Sequence, residues 1–361
     1  MAMKTLFKPL GLLCFAALII SCSKEETPIT PDPEIINSFA DFEYVKGDDP
    51  FTYEFKSLSS KFKRLEWRFG DDTLATTETP SHVFLSTGTF TIDLRAISES
   101  GAVSRAVKEI KIKPDDILKM KGTRTATPNH VLFDVESLAS FAAINWRLVD
   151  RFKPNAVTTT SKDLKPDFAL TPGTLTEVNL EGTTVKGSKV TLTKFASPAG
   201  IVTDIRTLIV KTTASRDNTS NANETSAKLT DGIVDNKIFL GWSNGNNDTW
   251  QLKMDLESPQ VVKYYGLRNG NDSPGRDPKS WKLEGSNDNG ATWTLVDQRT
   301  LDKHFTQQLF DRGWKDTDAD LDWKNFYFDI ANPQSFKSYR LNITSNFGDG
   351  GMQFGEIMLF K

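Results

Sequence analysis

Apolar residues fall at every second position, in short runs, along most of this chain, and that spacing restricts it to β-sheet architectures. Successive side chains of a strand point to opposite faces, so an i, i+2 pattern marks a strand with one buried face. In the first third the runs are Phe51-Tyr53-Phe55, Leu65-Trp67-Phe69, Phe90-Ile92-Leu94 and Ile110-Ile112, punctuated by Gly, Pro, Asp and Ser. From Pro114 to Thr213 they are Val131-Phe133-Val135, Ile144-Trp146-Leu148, Val178-Leu180, Val190-Leu192 and Ile205-Thr207-Ile209. From Ala214 onward they are Trp250-Leu252-Met254-Leu256, Val262-Tyr264, Trp281-Leu283, Phe326-Phe328-Ile330, Tyr339-Leu341-Ile343 and Ile357-Leu359. No window carries a convincing helical period. The expectation is an all-β chain: two β-sandwiches followed by a jelly-roll β-sandwich. With 361 residues, 24 Phe and 8 Trp, the chain has material for two or three cores.

The first residues are patterned differently. Lys4 and Lys8 precede an apolar segment, Leu10 to Ile20, and Ser21 precedes Cys22. This layout reads as a signal peptide, and the apolar stretch is about half of the roughly 20 residues that a membrane-spanning helix needs. Ile19-Ile20-Ser21-Cys22 resembles the lipobox of bacterial lipoproteins, which implies lipidation of Cys22 and a membrane anchor. Lys24-Glu25-Glu26 resembles the acidic export signal of Bacteroidetes surface lipoproteins and implies an outer-membrane protein facing the cell exterior. Pro28, Pro31 and Pro33 keep Thr27 to Glu34 out of regular structure, so it reads as an extended tether. Cys14 lies in the cleaved segment, leaving no internal disulfide for the mature chain. The resulting division is a signal peptide over 1–21, a tether over 22–35, and sandwiches over 36–113, 114–213 and 214–361.

Three ordered motifs mark the first sandwich. Trp67-Arg68-Phe69-Gly70-Asp71-Asp72, Thr79-Pro80-Ser81-His82-Val83-Phe84 and Gly88-Thr89-Phe90-Thr91-Ile92-Asp93-Leu94 resemble the polycystic kidney disease (PKD) domain. That resemblance implies an immunoglobulin-like spacer or interaction module. Asp71 and Asp72 read as turn residues, because adjacent side chains of a strand diverge. His82 reads as a structural hydrogen-bonding residue. In the middle segment Trp146, the Pro172-Gly173 turn and Val178 echo this arrangement without the Gly-Asp motif, and it reads as a second immunoglobulin-like domain. Lys186-Gly187-Ser188-Lys189 lacks the upstream glycine of a phosphate loop.

The last third resembles the discoidin or coagulation factor 5/8 type C domain, including carbohydrate-binding module family 32. The residues that carry this are Leu229-Thr230-Asp231-Gly232 with Gly241-Trp242, then Asp277-Pro278-Lys279-Ser280-Trp281-Lys282-Leu283-Glu284-Gly285-Ser286 with Trp293, then Phe354-Gly355-Glu356-Ile357. The resemblance implies a discoidin-type jelly roll that binds rather than catalyses. It also implies a structural calcium, for which Asp231, Asp235, Asn236 and Glu356 are the side chains at hand; calcium takes about six to eight oxygens. Asp316 to Asp322 is not a helix-loop-helix calcium motif, since Leu321 and Tyr327 stand where Gly and Glu are required.

Sugar recognition needs an aromatic face and planar polar groups on loops at one end of the sandwich. Asn246, Arg268, Asn269, Asn271 and Arg276 are the polar candidates, and Trp314 and Phe347 the stacking candidates. Trp242, Trp250, Trp281 and Trp293 read as core residues. Ser243 to Asp248 contains no histidine, so the galactose preference of some relatives is not implied. His304 reads as a surface residue.

The leading function is a non-catalytic, membrane-anchored glycan-binding lipoprotein whose partners are a polysaccharide or glycoconjugate and other surface glycan-utilisation proteins. An adhesin for host protein or lipid head groups is the alternative. A glycan-processing enzyme is third: His82, His130 and His304 are spread over three segments, and no zinc-protease helix or nucleophile elbow is present. A net charge of −3 with scattered basic residues gives no reason to expect nucleic acid.

Overall fold

The alternating runs form strands, and these pair into antiparallel sheets. The structure is a computed structural model that describes residues 37–152, 154, 156, 159–242, 248–318 and 321–361. Cys22, the tether, Lys24-Glu25-Glu26 and Asn246 lie outside the described residues.

The first domain comprises β1 (Phe42–Lys46), β2 (Thr52–Ser57), β3 (Arg64–Arg68), β4 (Leu74–Ala75), β5 (Ser81–Val83), β6 (Gly88–Ile97) and β7 (Val103–Ile112). Its sheets are ordered β1-β2-β5 and β4-β3-β6-β7. Trp67 is buried between them, with ring centroids 5.2 Å from Phe42 and 5.6 Å from Phe55. Its indole N–H donates to the Thr77 carbonyl at 2.8 Å, so no polar atom of the ring is stranded. Gly70 has φ +82°, and a Cβ there would sit 2.8 Å from the Thr91 nitrogen, which only glycine avoids. His82 lies flat on Phe69 at 4.2 Å, and its Nε2 is 2.8 Å from Asp71 Oδ2. These are structural contacts, and Asp71 also accepts from the Thr73 amide within the turn.

The second domain comprises α1 (Pro114–Ile117), β8 (Leu118–Arg124), β9 (His130–Ser137), β10 (Phe141–Val149), β11 (Thr160–Ser161), β12 (Asp167–Ala169), β13 (Thr176–Thr184), β14 (Lys189–Ser197) and β15 (Gly200–Val202). The sheets are ordered β11-β10-β13-β14-β15 and β12-β9-β8 around Phe133, Trp146, Val178 and Leu180. One apolar cluster runs through both cores. At the junction Lys186 Nζ lies 2.5 Å from Asp49 Oδ2, Ser188 Oγ donates to the Phe84 carbonyl at 2.8 Å, and the Lys189 amide donates to the Leu85 carbonyl at 2.9 Å.

The third domain comprises β16 (Ile209–Ala214), β17 (Ile238–Gly241), β18 (Trp250–Val261), β19 (Tyr264–Arg268), β20 (Pro278–Ser286), β21 (Thr294–Thr300), α2 (Phe305–Phe310), β22 (Asn325–Asp329), β23 (Ser335–Asn346), β24 (Gly351–Phe354) and β25 (Ile357–Phe360). A five-stranded sheet, β16-β18-β23-β20-β21, packs over the β22-β19-β25 and β17-β24 sheets. Trp250, Leu252, Met254 and Leu256 on β18 and Tyr339, Leu341 and Ile343 on β23 are fully buried between them. Each such aliphatic side chain contributes about 1.5–3 kcal/mol by leaving water.

The boundary at 213/214 moves. Ile209 to Ala214 pairs with β18, and Ile205 belongs to the third core, so the jelly roll begins near 203. The expected strand over Ile205-Thr207-Ile209 is instead a short 3-10 helix, Arg206–Leu208, running into β16. The Thr203 and Lys361 backbones exchange two hydrogen bonds of 3.0 Å, and Ile205 N donates to the Leu359 carbonyl at 2.9 Å, which ties the linker to the last strand. On β25 Ile357 and Leu359 face the jelly-roll core, while Met358 and Phe360 pack with Leu175, Val202 and Phe195 at the seam with the second domain. This strand is buried on both faces, which accounts for its unbroken apolar run. Among the described residues no helix is long and apolar enough to cross a membrane.

Candidate functional site

Two loops at one end of the third domain bring together part of the expected sugar-binding set. The first leaves β19 and passes through a 3-10 turn, Pro274–Arg276, entered by Ser273 at φ 39°. The second joins β23 to β24, where Asn346 Nδ2 donates to the carbonyls of Asp349 at 2.8 Å and Gly351 at 2.7 Å. The Gly275 carbonyl accepts from the amides of Phe347 at 3.0 Å and Asp349 at 3.4 Å, which locks the two loops side by side.

Arg276 is half-buried in this arrangement. Its Nε is 3.4 Å from Asp349 Oδ1, its Nη1 is 3.3 Å from Asp272 Oδ1, and its guanidinium lies 4.8 Å from the Phe239 ring centre. Asn271 is exposed, and its Oδ1 accepts from Lys237 Nζ at 2.9 Å. Phe347 is half-exposed, with His304 edge-on at 5.9 Å and Lys279 Nζ 5.6 Å from its centroid.

Lys237, Gln353, Asp272 and Asp349 were not singled out from the sequence, yet they hold the patch. Lys237 is buried, and its ammonium also reaches Gln353 Oε1 at 3.0 Å and Asp272 Oδ1 at 3.3 Å. Burial alone would raise the Asp272 pKa, but hydrogen bonds from Gln353 and Lys237 and the charges of Lys237 and Arg276 hold it below the usual carboxylate value. His304, expected at the surface, is the half-buried N-cap of α2: its Nδ1 accepts from the Gln307 amide at 3.0 Å, and burial lowers its pKa. The patch therefore offers a half-exposed aromatic face, a guanidinium, an amide and two carboxylates within one loop pair.

Three of the expected sugar ligands are elsewhere. Arg268 is 6% exposed, with Nε donating to Asn325 Oδ1 at 2.8 Å and Nη1 donating to the Ile233 and Val234 carbonyls, each at 3.3 Å. Asn269 is 2% exposed: its Nδ2 donates to the Leu321 carbonyl at 3.3 Å and its Oδ1 accepts from the Lys324 amide at 2.6 Å. Trp314 is 9% exposed, and its indole N–H donates to the Phe152 carbonyl of the second domain at 2.7 Å. It is a seam residue, covered by Lys324 at 4.5 Å, and no sugar face is available on it. Conversely Trp293, read as core, is half-exposed under the Arg340 guanidinium at 4.2 Å, while Trp242, Trp250 and Trp281 are buried as expected.

The calcium ligands do not assemble either. Asp231 is exposed, and its carboxylate accepts from the Ile233 amide at 2.9 Å and Asn236 Nδ2 at 2.6 Å, which shapes a turn. Asp235 is exposed. Among the described residues no three His, Cys, Asp or Glu side chains cluster as a metal site. Glu356 is fully buried: its Oε1 accepts from Arg206 Nη1 and from the Gly232 amide at 2.9 Å, while its Oε2 accepts no hydrogen bond and is met by Arg268 Nη1 at 2.8 Å as an ion pair. The donor set fits an arginine pair and not a calcium ion.

A cavity of about 1000 Å³ lies in the seam between the second and third domains. In its lining, Arg151 Nε and Nη2 donate to Glu177 Oε2 and Oε1 at 2.5 and 2.9 Å.

Residues 32–113 match the PKD domain family. The peptide-N(4)-(N-acetyl-beta-glucosaminyl)asparagine amidase of Arabidopsis thaliana is 34% identical over 135 residues, which cover 36% of this chain and 16% of that protein. The chain thus spans about a sixth of that relative's length. Among solved structures, similarity extends to the family 32 carbohydrate-binding module of Clostridium perfringens NanJ in complex with galactose, at 12% identity and TM-score 0.34, over 45% of this chain and 100% of that one. It extends also to an F5/8 type C domain from Bacteroides fragilis, at 15% identity and TM-score 0.33, over 42% and 90% of the two chains. A chitosan-binding module from Paenibacillus sp. IK-5 is 18% identical at TM-score 0.32, over 43% and 98%.

Proposed function

We propose that the protein is a non-catalytic glycan-binding lipoprotein, anchored through Cys22 and presenting the loop end of its third domain to a polysaccharide or glycoconjugate. The observation that carries this reading is the convergence of Arg276, Asn271 and Phe347 on one loop pair, braced from below by Lys237 and Gln353. A half-exposed ring beside fork-shaped and planar polar groups suits the apolar face and vicinal hydroxyls of a pyranose. Asp272 and Asp349 keep the Arg276 guanidinium oriented, so less side-chain entropy is lost on binding.

The shared first and second cores, and the β25 seam below the third domain, support a stiff stalk that holds this end away from the anchor. Single modules of this kind bind at roughly 1 mM to 1 μM, about −4 to −8 kcal/mol, and many copies on one cell raise the effective affinity. The test is a glycan array probed with the full chain. Binding to a saccharide class that is lost in Arg276→Ala supports the reading, and a blank array with folded protein contradicts it. Lipidation is tested separately by incorporation of labelled palmitate in the native host, which Cys22→Ala should abolish.

A further inference from the structure

We propose that Arg268 is the resident cation of the third domain, its guanidinium closing the sandwich where a calcium ion was expected from the sequence. This inference is independent of the glycan reading. A calcium site requires a carboxylate and several carbonyl oxygens aimed at one point. Such oxygens do converge here: Glu356 Oε2 at 2.8 Å, the Ile233 carbonyl at 3.3 Å and the Val234 carbonyl at 3.3 Å, and the atom they surround is Arg268 Nη1.

The arginine is fixed at every level of its length. Its backbone N–H donates to the Glu356 carbonyl at 2.9 Å, and its carbonyl accepts from the Gly355 amide at 2.7 Å. Its stem runs beneath Gly355, where an added Cβ would lie 3.0 to 3.2 Å from the three stem carbons, so the turn into β25 rests on that stem. Its Nε is held by Asn325 Oδ1 on β22 at 2.8 Å. On the other side of the carboxylate, Arg206 Nη1 meets Glu356 Oε1, while Arg206 Nη2 pairs with Asp204 Oδ2 at 2.7 Å.

An incoming divalent ion would have to expel a guanidinium from these oxygens or sit within a few ångströms of two like charges, and both outcomes are unfavourable in a buried site. Burial lowers the Arg268 pKa and the Glu356 charge opposes that shift, and a guanidinium keeps its proton throughout the working pH range. The segment before β17, the end of β19, β22 and the start of β25 are thereby stapled without metal or disulfide. Folding and ligand binding should accordingly be indifferent to calcium and to chelators.

The experiment is thermal unfolding of the full chain in EDTA and in calcium chloride, with Arg268→Ala and Arg268→Lys alongside. The wild-type midpoint should be the same in both media. An ion present at about a hundredfold its dissociation constant would raise it by about 5–10 °C, and such a rise overturns the proposal. Arg268→Ala should lower the midpoint and Arg268→Lys, which keeps the charge, should recover part of the loss; an alanine variant as stable as wild type also overturns it. Should the alanine variant not fold, calorimetric titration of wild type with calcium chloride still decides. A flat trace is expected, and a one-to-one binding isotherm contradicts the assignment.

Discussion

Arg268 and Arg276 bound the same loop of the third domain, carry the same fork of donors and were both expected to grip sugar hydroxyls, yet the fold uses them in opposite ways. Arg268 closes a strand, so its stem enters the core and its head meets a buried carboxylate and two backbone carbonyls. Arg276 ends a surface turn, so its head rests on a ring and on two carboxylates that solvent also reaches. The difference teaches that residue type nominates a ligand, while position relative to the strand end decides whether its donors face the protein or the outside.

The sharpest way to break that contrast is to truncate both arginines. Arg268→Ala leaves the Glu356 carboxylate buried with one partner fewer, and should cost about 3–5 kcal/mol in chemical denaturation followed by third-domain tryptophan fluorescence. Trp314→Ala removes a buried indole and its bond to the Phe152 carbonyl; a loss of about 3–5 kcal/mol and earlier proteolysis at the seam are expected, whereas a sugar-stacking residue would leave both unchanged. Arg276→Ala should change stability by no more than about 1 kcal/mol, because its pairs are partly exposed, while weakening glycan retention at least about tenfold.

The smallest effect concerns Asp277, the neighbour of Arg276. It is 2% exposed, and its Oδ2 accepts from the Phe305 amide at 3.0 Å. Burial pushes its pKa well above the usual carboxylate value. A raised folded-state pKa means stability falls as pH climbs from the ordinary carboxylate value towards the raised one. Asp277→Asn keeps an acceptor for Phe305 without the charge, so it should stabilise the protein at neutral pH and flatten that slope in denaturation measured across pH.

The strands were legible because period-two burial is a local property: Trp250-Leu252-Met254-Leu256 reads as a half-buried strand wherever it lands, and does so as β18. Ile205-Thr207-Ile209 misled because the same spacing is satisfied by a 3-10 turn that delivers Ile205 and Ile209 to the third core. The site was only half legible. Asn271, Arg276 and Phe347 lie on loops whose ends are fixed by strand pairing, so their grouping could be anticipated. Trp314 could not be placed, because its burial is supplied by the second domain, through a contact 162 residues away in sequence. Lys237 and Gln353 were invisible for the related reason that a buried polar brace has no local signature until its partners are known.

Affinity electrophoresis of the folded full chain through gels containing soluble polysaccharides, comparing wild type with Arg276→Ala and Phe347→Ala, tests the assignment of the loop end most directly. At least one polysaccharide should retard wild type, and both variants, folded, should run close to their mobility in empty gels. Variants retarded as strongly as wild type would contradict it.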